Sequence, residues 1–257
     1  MTEQEMQQRL ERLEHQVQAA HDRAQVENIF SRYQYYHYLI QDEKVADLYA
    51  DTMPDVRRHD AGRAIFEGIE AIRSYHSPHR PHYRGKMICH AAANPIIEVA
   101  GDGQTAKGLW FLTGHESCPY KEIPDPRTDF VGPDLEKNPK YDLYQFCHWV
   151  WHKVGVDFIK IDGVWKIWHI LSFQMMRAPY YKDWITYSLD RPVVGAMMAF
   201  TAPTPEELEQ IKDNPMVKDL GRPSDYGRPE GYTITAPVDD ILRAPEPYYT
   251  FSETFSY

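Results

Sequence analysis

The strongest constraint on the fold is the order of the periodic segments, because helical patterns come first and strand-like runs come afterwards. The strand-like runs occupy residues 86–99, 105–115, 143–161 and 164–173. Gly101-Asp102-Gly103 and Asp162-Gly163 separate consecutive runs and are typical of hairpin turns. Helices followed by an antiparallel meander indicate an α+β fold and exclude the βαβ order of a Rossmann fold.

The first 24 residues predict a helix with one narrow apolar seam. Its apolar residues follow steps of four and three, and they are Met6, Leu10, Leu13, Val17, Ala20 and Ala24. Polar side chains fill the other positions, so only one stripe of the helix is apolar. This stripe either lies on the helix's own domain or pairs with a helix of a partner subunit.

A second helical pattern extends from Gln25 to Tyr49 and is interrupted by a polar corner at residues 42–44. A short hairpin over 56–66 and another helix over 71–75 follow it. We therefore divide the chain into an N-terminal helix, a barrel domain and an extension, with bounds 1–24, 25–174 and 175–257. The extension has little periodicity apart from a short helix predicted at Pro205–Lys212, and we expect it to wrap the barrel or a neighbouring subunit.

Composition narrows the class of protein. A net charge of −10 without a basic stripe argues against nucleic-acid binding. No stretch approaches the ~18 apolar residues of a membrane span, and Cys89, Cys118 and Cys147 form neither a disulfide framework nor a thiolate metal site. We expect a cytoplasmic protein.

The 18 Tyr, 10 Phe and 6 Trp exceed what a small core needs and predict an interface or an aromatic pocket.

Motifs in this order resemble the SnoaL-like, nuclear transport factor 2-like family over residues 25–173. They are RYQYYHYLIQDEKVADLYADTMPDV, IFEGIEAIRSYH, CHAAANPIIEVAGDGQTAKGLWFLTG and VGVDFIKIDGVWKIWHI. The resemblance implies a cone-shaped α+β barrel, in which a curved antiparallel sheet packs on helices and a pocket lies between them. The family includes enzymes and non-catalytic subunits, so its fold alone does not fix the function.

Within the family, this aromatic-rich sequence is similar to the cofactor-free diarylpropane lyases of bacterial lignin catabolism. That resemblance implies a cofactor-independent lyase that dehydrates a two-ring phenolic diol through a quinone methide and releases formaldehyde. The alternatives are a dehydratase, isomerase or hydrolase of another aromatic or polyketide-like substrate, or a non-catalytic small subunit of the dioxygenase type. We expect a small aromatic substrate and a homo-oligomer, either a dimer or a trimer.

Five residues are candidates for the chemistry. His90 alternates with Ile88 and Ala92 on one strand face, and a histidine suits acid/base work near neutral pH. It also resembles in position the catalytic histidine of scytalone dehydratase. Asp42 occupies a corner where family members place a pocket carboxylate, with His37 about one and a half helical turns earlier. A core histidine and a helix-capping aspartate are the structural alternatives.

The short strand 56–60 supplies the other two candidates. Alternation places Arg58 and Asp60 on the same face as Val56, which we expect to point inward, and Arg57 and His59 on the other face. Arg58 would stabilise a phenolate or developing alkoxide, and either Asp60 or His37 would accept a proton. Alternatively, the two residues form a structural ion pair.

Aromatic and polar residues of the later strands are candidates for binding the substrate. They are Tyr36, Lys107, Trp110, Trp151 and His169. Trp110 shares its strand face with small residues, whereas Lys107 points to the opposite face unless the register slips. The histidines of the loop HSPHRPH look peripheral, and its prolines prevent the helical spacing of metal ligands. We therefore expect no metal site.

Overall fold

The computed structural model describes residues 1–61, 64–76, 85–123, 135–186, 222–223 and 242–257. Its helices are α1 (Glu3–Tyr38), α2 (Asp42–Ala46) and α3 (Ile69–Tyr75), with a 3-10 turn at Phe251–Glu253. Its strands are β1 (Arg57–Asp60), β2 (Ala64–Glu67), β3 (Met87–Val99), β4 (Thr105–Tyr120), β5 (Glu136–Asn138), β6 (Leu143–Ile161), β7 (Val164–Pro179) and β8 (Arg222–Pro223). The predicted helix at Pro205–Lys212 lies outside the described residues.

The strands form a single curved sheet with the order β3-β4-β6-β7-β1-β2-β8, and β5 pairs beside β6. The predicted α+β fold is confirmed. The sheet is antiparallel except for the pairing of β1 with β7, which is parallel. After α2 the chain enters the sheet at β1, which lies beside the last long strand, β7. The sheet is therefore mixed and not a purely antiparallel meander.

Helix α1 is longer than either helical segment that the sequence patterns indicate, because it runs without a break through residues 24 and 25. A reciprocal cap starts it: Thr2 Oγ1 accepts a hydrogen bond from the Glu5 amide, and Glu5 accepts one from the Thr2 amide. No Gly or Pro interrupts the helix. It ends just before Ile40, whose φ of 58° is unfavourable for a β-branched residue and turns the chain into α2.

The second half of α1 packs on the concave face of the sheet. Val26 and Phe30 are fully buried there, and the Phe30 ring lies 4.2 Å from the Trp110 ring. The Trp110 indole lies directly over Gly108, in the space that a Cβ at that position would occupy. A glycine is therefore required on this strand to bring the tryptophan into the core.

The opposite, outer face of the sheet is covered in part by the C-terminal segment 242–257. Leu242 and Tyr257 are buried against Leu171 and Phe173, and the Gly101 amide donates to the Tyr248 carbonyl at 3.0 Å. Strand β7 extends to Pro179, six residues beyond its predicted end, so the extension begins inside the sheet. The two faces of the sheet thus carry two separate sets of buried side chains.

Candidate functional site

A cluster of buried and half-buried ionisable side chains lies between the helices and the concave face of the sheet. From the helices and the segments that follow them come Tyr33, His37, Asp42, Tyr49, Tyr75 and His76; from the strands come Arg58, Asp60, His90, Glu116, His148, His152 and Arg177. Buried charges are costly unless they are paired, so a cluster of this size is a candidate functional site.

Strand register brings the sheet residues of this cluster together. His90 lies opposite Gly114 on the neighbouring strand, and Glu116 follows two positions later on the same face. A Cβ at Gly114 would overlap the backbone of Cys89. His152 lies opposite Leu112 on the next strand, so three successive strands direct polar side chains to one region.

His90 is held by a carboxylate. Its Nε2 lies 3.2 Å from Glu116 Oε1, and Arg177 Nη2 lies 2.7 Å from Glu116 Oε2. Burial opposes ionisation of this carboxyl group, but Arg177 and His90 together hold the pKa of Glu116 well below its usual range. The carboxylate is therefore ionised at neutral pH and orients the imidazole.

Four imidazoles form a row across the site. The ring centroids of His76 and His37 are 6.2 Å apart, those of His37 and His90 are 6.3 Å apart, and those of His90 and His152 are 5.5 Å apart. Burial, together with neighbouring positive or potentially positive groups, lowers the pKa of His37 and of His152 to about 3. Both rings are neutral at physiological pH. Among the described residues, His37 Nδ1 and His152 Nε2 have no hydrogen-bond partner.

Arg58 occupies the other side of the site. Its Nη2 donates to Asp60 Oδ1 at 2.8 Å, its Nη1 donates to Tyr33 Oη at 2.5 Å, and its guanidinium lies 4.4 Å from the Tyr75 ring centre. Burial opposes the charge, yet the Asp60 carboxylate and nearby tyrosines raise the pKa of Arg58 further. Burial raises the pKa of Tyr33, and it raises that of Tyr49 to about 12. The site therefore combines a fixed cation with protonated phenols.

The loop histidines correct one expectation from the sequence. His76, expected at the periphery, is only 2% exposed, and its Nδ1 lies 3.8 Å from Asp42 Oδ1. His76 directly follows the last residue of α3, and its ring points into the cluster. Potential ligand atoms of His37, Asp42 and His76 all lie within 4.8 Å of one another. Two histidines and one carboxylate are a combination that can bind a metal ion, and the spacing of these residues in the sequence does not reveal it. His79 and His82 lie outside the described residues.

The structure places all five of the predicted catalytic residues in one region. His37, Asp42, Arg58, Asp60 and His90 all belong to the cluster, and His90 is linked to Asp42 through the row His37–His76. In the 56–60 segment, Val56, Arg58 and Asp60 point inward, as the alternation predicts.

The predicted binding residues are divided between the two faces of the sheet. Trp110 packs in the core beside Phe30, and Tyr36 packs against the same core from α1. Trp151 is 40% exposed on the outer face. Lys107 and His169 are also on the outer face, where both contact Asp157 under the C-terminal segment. These three outer residues do not meet His90.

Sequence reasoning missed several members of the cluster, namely Tyr33, Tyr49, Tyr75, His76, Glu116, His148, His152 and Arg177. A signal was present for Glu116, because it continues the alternation of Trp110, Leu112 and Gly114. The predicted strand ended at His115, one residue before Glu116 and five residues before the end of β4. The positions of His152 and Arg177 depend on a β-bulge between Trp151 and His152 that shifts the register of the β6–β7 pairing, and no local pattern reveals this shift.

Comparison with protein-family models identifies the family of the chain. The SnoaL-like domain model matches residues 18–170. The chain therefore belongs to the SnoaL-like family. No curated protein sequence matches the chain significantly.

Solved structures with this fold share little sequence with the chain. A putative scytalone dehydratase from Novosphingobium aromaticivorans is 15% identical, with a TM-score of 0.44 over 62% of this chain and 88% of that one. A hexachlorocyclohexane dehydrochlorinase, LinA-type3 from Novosphingobium barchaimii, is 13% identical, with a TM-score of 0.46 over 65% and 96%. An NTF2-like protein with a cystatin-like fold from N. aromaticivorans is 15% identical, with a TM-score of 0.41 over 68% and 90%.

Within the part of the chain that the structure describes, no helix is both long enough and apolar enough to cross a membrane.

Proposed function

We propose that this chain is a cofactor-independent lyase that acts on a small phenolic diol by proton transfer. The observation that carries the proposal is the His90–Glu116 pair, an imidazole held at 3.2 Å by a carboxylate inside a buried polar cluster. Family membership is compatible with an enzyme but does not choose the reaction. The choice rests on the chemistry of the clustered side chains.

His90 is the proton carrier in this proposal. When its Nε2–H donates to Glu116, Nδ1 carries the lone pair that accepts a proton and later returns it. His37 and His152, the flanking rings, have pKa values lowered to about 3 and stay neutral. They hydrogen-bond to hydroxyl groups but do not store charge at neutral pH. This division of roles leaves His90 as the proton carrier among the imidazoles of the row.

Arg58 and Tyr33 provide the complementary anion site. The guanidinium donates to the Tyr33 oxygen, which leaves the Tyr33 proton available to a ligand oxygen. A phenolate or alkoxide that forms here faces a fixed cation and a phenol donor in a buried environment, where electrostatic stabilisation is strongest. The Arg58–Asp60 pair keeps the guanidinium in place.

The proposed reaction needs only protons and these two parts. The para-phenol of the substrate passes its proton to Asp60 beside Arg58, and Asp60 returns this proton to the product phenolate at the end of the reaction. The phenolate pushes its electrons through the ring while protonated His90 donates to the benzylic hydroxyl, which leaves as water. The resulting quinone methide is the electron sink. His90 then removes the proton of the terminal hydroxymethyl group, formaldehyde departs, and the electrons of the broken carbon–carbon bond restore the phenolate. The products are a stilbene, formaldehyde and water.

Aromatic side chains around the charged groups support an aromatic substrate. The Tyr33 ring is stacked with Phe30 at 5.8 Å and meets Tyr49 edge-on at 6.3 Å, and Tyr75 covers the Arg58 guanidinium. Rings of this kind provide apolar contacts to a phenyl group while their hydroxyls provide hydrogen bonds. A polar, non-aromatic substrate could use the hydroxyl and charged groups but would make no use of the aromatic rings.

The test is incubation of the purified protein with guaiacyl diols carrying two aromatic rings. We expect formaldehyde and a stilbene absorbance in equal amounts, together with loss of both when His90→Gln is introduced. His21→Gln is the matched control because His21 is exposed on α1. Water loss without formaldehyde would identify a dehydratase instead. No product from any phenolic diol would refute the proposal.

A further inference from the structure

The apolar seam of α1, formed by Met6, Leu10, Leu13, Val17, Ala20 and Ala24, is open to solvent. Met6, Leu10, Leu13 and Val17 are 55%, 50%, 48% and 68% exposed. They are four successive large apolar side chains on one stripe, not scattered surface residues. A contiguous apolar surface of this kind marks an interaction site.

The seam does not face the chain's own sheet. The side of α1 that packs on the sheet is defined by Asp22, Val26 and Phe30, all buried, and by the contact of His15 with the Gly101 carbonyl at 3.1 Å. At 100° per residue, the centre of the seam lies about 160° around the helix axis from this packed side. The helix therefore presents one face to its own domain and the opposite face outward.

We propose that the α1 seam pairs with the same seam of a second copy of this chain in a parallel, two-stranded coiled coil. The alternating steps of four and three place Leu10, Val17 and Ala24 at a positions and Met6, Leu13 and Ala20 at d positions of a heptad pattern. A β-branched residue at a and leucine at d, as with Val17 and Leu13, favour two strands.

Charge complementarity selects the second copy and its direction. Arg9 and Glu14 flank the seam at g and e positions. In a parallel pair, Arg9 of each helix meets Glu14 of the other, which gives two ion pairs across the seam. An antiparallel pair brings Arg9 against Gln16 and Glu14 against Gln7, and both ion pairs are lost. The packed side of α1 points away from the seam, so both domains fit on the outside of such a pair.

Sedimentation of the whole chain at several concentrations tests the interface. We expect a dimer for the native sequence and, for Leu10→Glu/Leu13→Glu, a dissociation constant at least about a hundredfold higher, because two buried leucines are lost per helix. The variant Gln4→Glu/Gln8→Glu adds the same charge off the seam and should remain dimeric. Circular dichroism shows whether each variant is folded. A native monomer, or a dimer unaffected by the leucine substitutions, would overturn the proposal.

A charge exchange tests the direction of the helices. Arg9→Glu and Glu14→Arg each place like charges together in a parallel pair and should weaken the dimer, whereas the double exchange should restore it. An antiparallel pair predicts no such rescue, and absence of rescue would refute the parallel arrangement. These measurements need no substrate, so their outcome is independent of the proposed lyase activity.

Discussion

His90 Nε2 lies 3.2 Å from one carboxylate oxygen of Glu116, and Arg177 Nη2 lies 2.7 Å from the other. Arg177 Nε in turn donates to His148 Nδ1 at 3.1 Å. The side chains of His90, Glu116, Arg177 and His148 are all largely shielded from solvent. The position of the His90 ring is therefore set by the carboxylate and not by water. The side chain that we propose as the proton carrier is thus positioned by a group whose own charge does not change near neutral pH.

The first prediction concerns this pair. His90→Gln should lower kcat on a phenolic diol by about 10²–10⁴-fold, the usual contribution of a positioned acid/base. Glu116→Gln should lower kcat by a smaller factor with little change in KM, because it removes orientation and not the proton carrier. Steady-state kinetics measure both, with Glu122→Gln as the control on an exposed carboxylate. Native kcat in both variants would exclude the pair from catalysis.

The second prediction separates stability from chemistry at Arg58. Arg58→Met removes the cation from the buried Asp60 carboxylate and should reduce the free energy of unfolding by about 3–5 kcal/mol. Arg58→Met/Asp60→Leu should recover most of that loss, since neither charge remains. Urea unfolding gives both values. Turnover should stay low in the double variant because the anion site is gone, and native turnover there would make the pair purely structural.

Helical periodicity and the alternation of strand residues were enough to predict the class of fold. The order of helical and strand-like segments gave the α+β class, and alternation placed Arg58 and Asp60 on the inward face. These features depend on neighbouring residues along one segment, where a period of two or of 3.6 is visible in the sequence.

Features that depend on distant segments were not predictable in the same way. His76 enters the site only because α3 ends beside α2, and Lys107 is buried only because the C-terminal segment covers it. The parallel pairing of β1 with β7 joins residues more than a hundred positions apart. No local periodicity encodes such contacts, since they follow from how whole elements pack.

The third prediction is an acid-dependent loss of stability. His37 and His152 have pKa values of about 3 in the folded chain, below the ordinary value of 6.5, so the unfolded chain binds more protons as the pH falls from about 6.5 to 3. Stability is therefore fully present above pH 6.5 and decreases through this window by about 1.4 kcal/mol per pH unit for each histidine.

Urea unfolding between pH 7 and pH 4 measures this slope. His152→Gln should reduce it by the contribution of one proton, whereas His21→Gln, on the exposed side of α1, should leave it unchanged. An identical slope for His152→Gln and the native chain would contradict the lowered pKa of His152.

The fourth prediction concerns the group His37, Asp42 and His76, whose ligand atoms lie within 4.8 Å. The proposed reaction uses protons only, so dialysis of the purified protein against EDTA should leave kcat on a phenolic diol unchanged. Metal analysis before and after dialysis shows whether any ion was removed. Turnover that disappears with the chelator and returns with one equivalent of zinc would instead assign these residues to a catalytic metal.

The last prediction tests the separation of the two sheet faces. Lys107 is fully buried on the outer face, where it pairs with Asp157 and lies 4.4 Å from the Phe255 ring centre. Lys107→Met leaves the Asp157 carboxylate without this cation and should lower the free energy of unfolding by about 3–5 kcal/mol. The exposed Lys121 provides the control Lys121→Met.

Turnover distinguishes a structural Lys107 from a substrate-binding one. The sheet lies between Lys107 and His90, so the folded fraction of Lys107→Met, assayed at low temperature, should retain the native KM. Since Asp157 also accepts the Tyr257 amide at 2.9 Å, the substitution should instead loosen the C-terminal segment, which limited proteolysis would detect. A large rise in KM with the segment still protected would place Lys107 in the binding site despite its position.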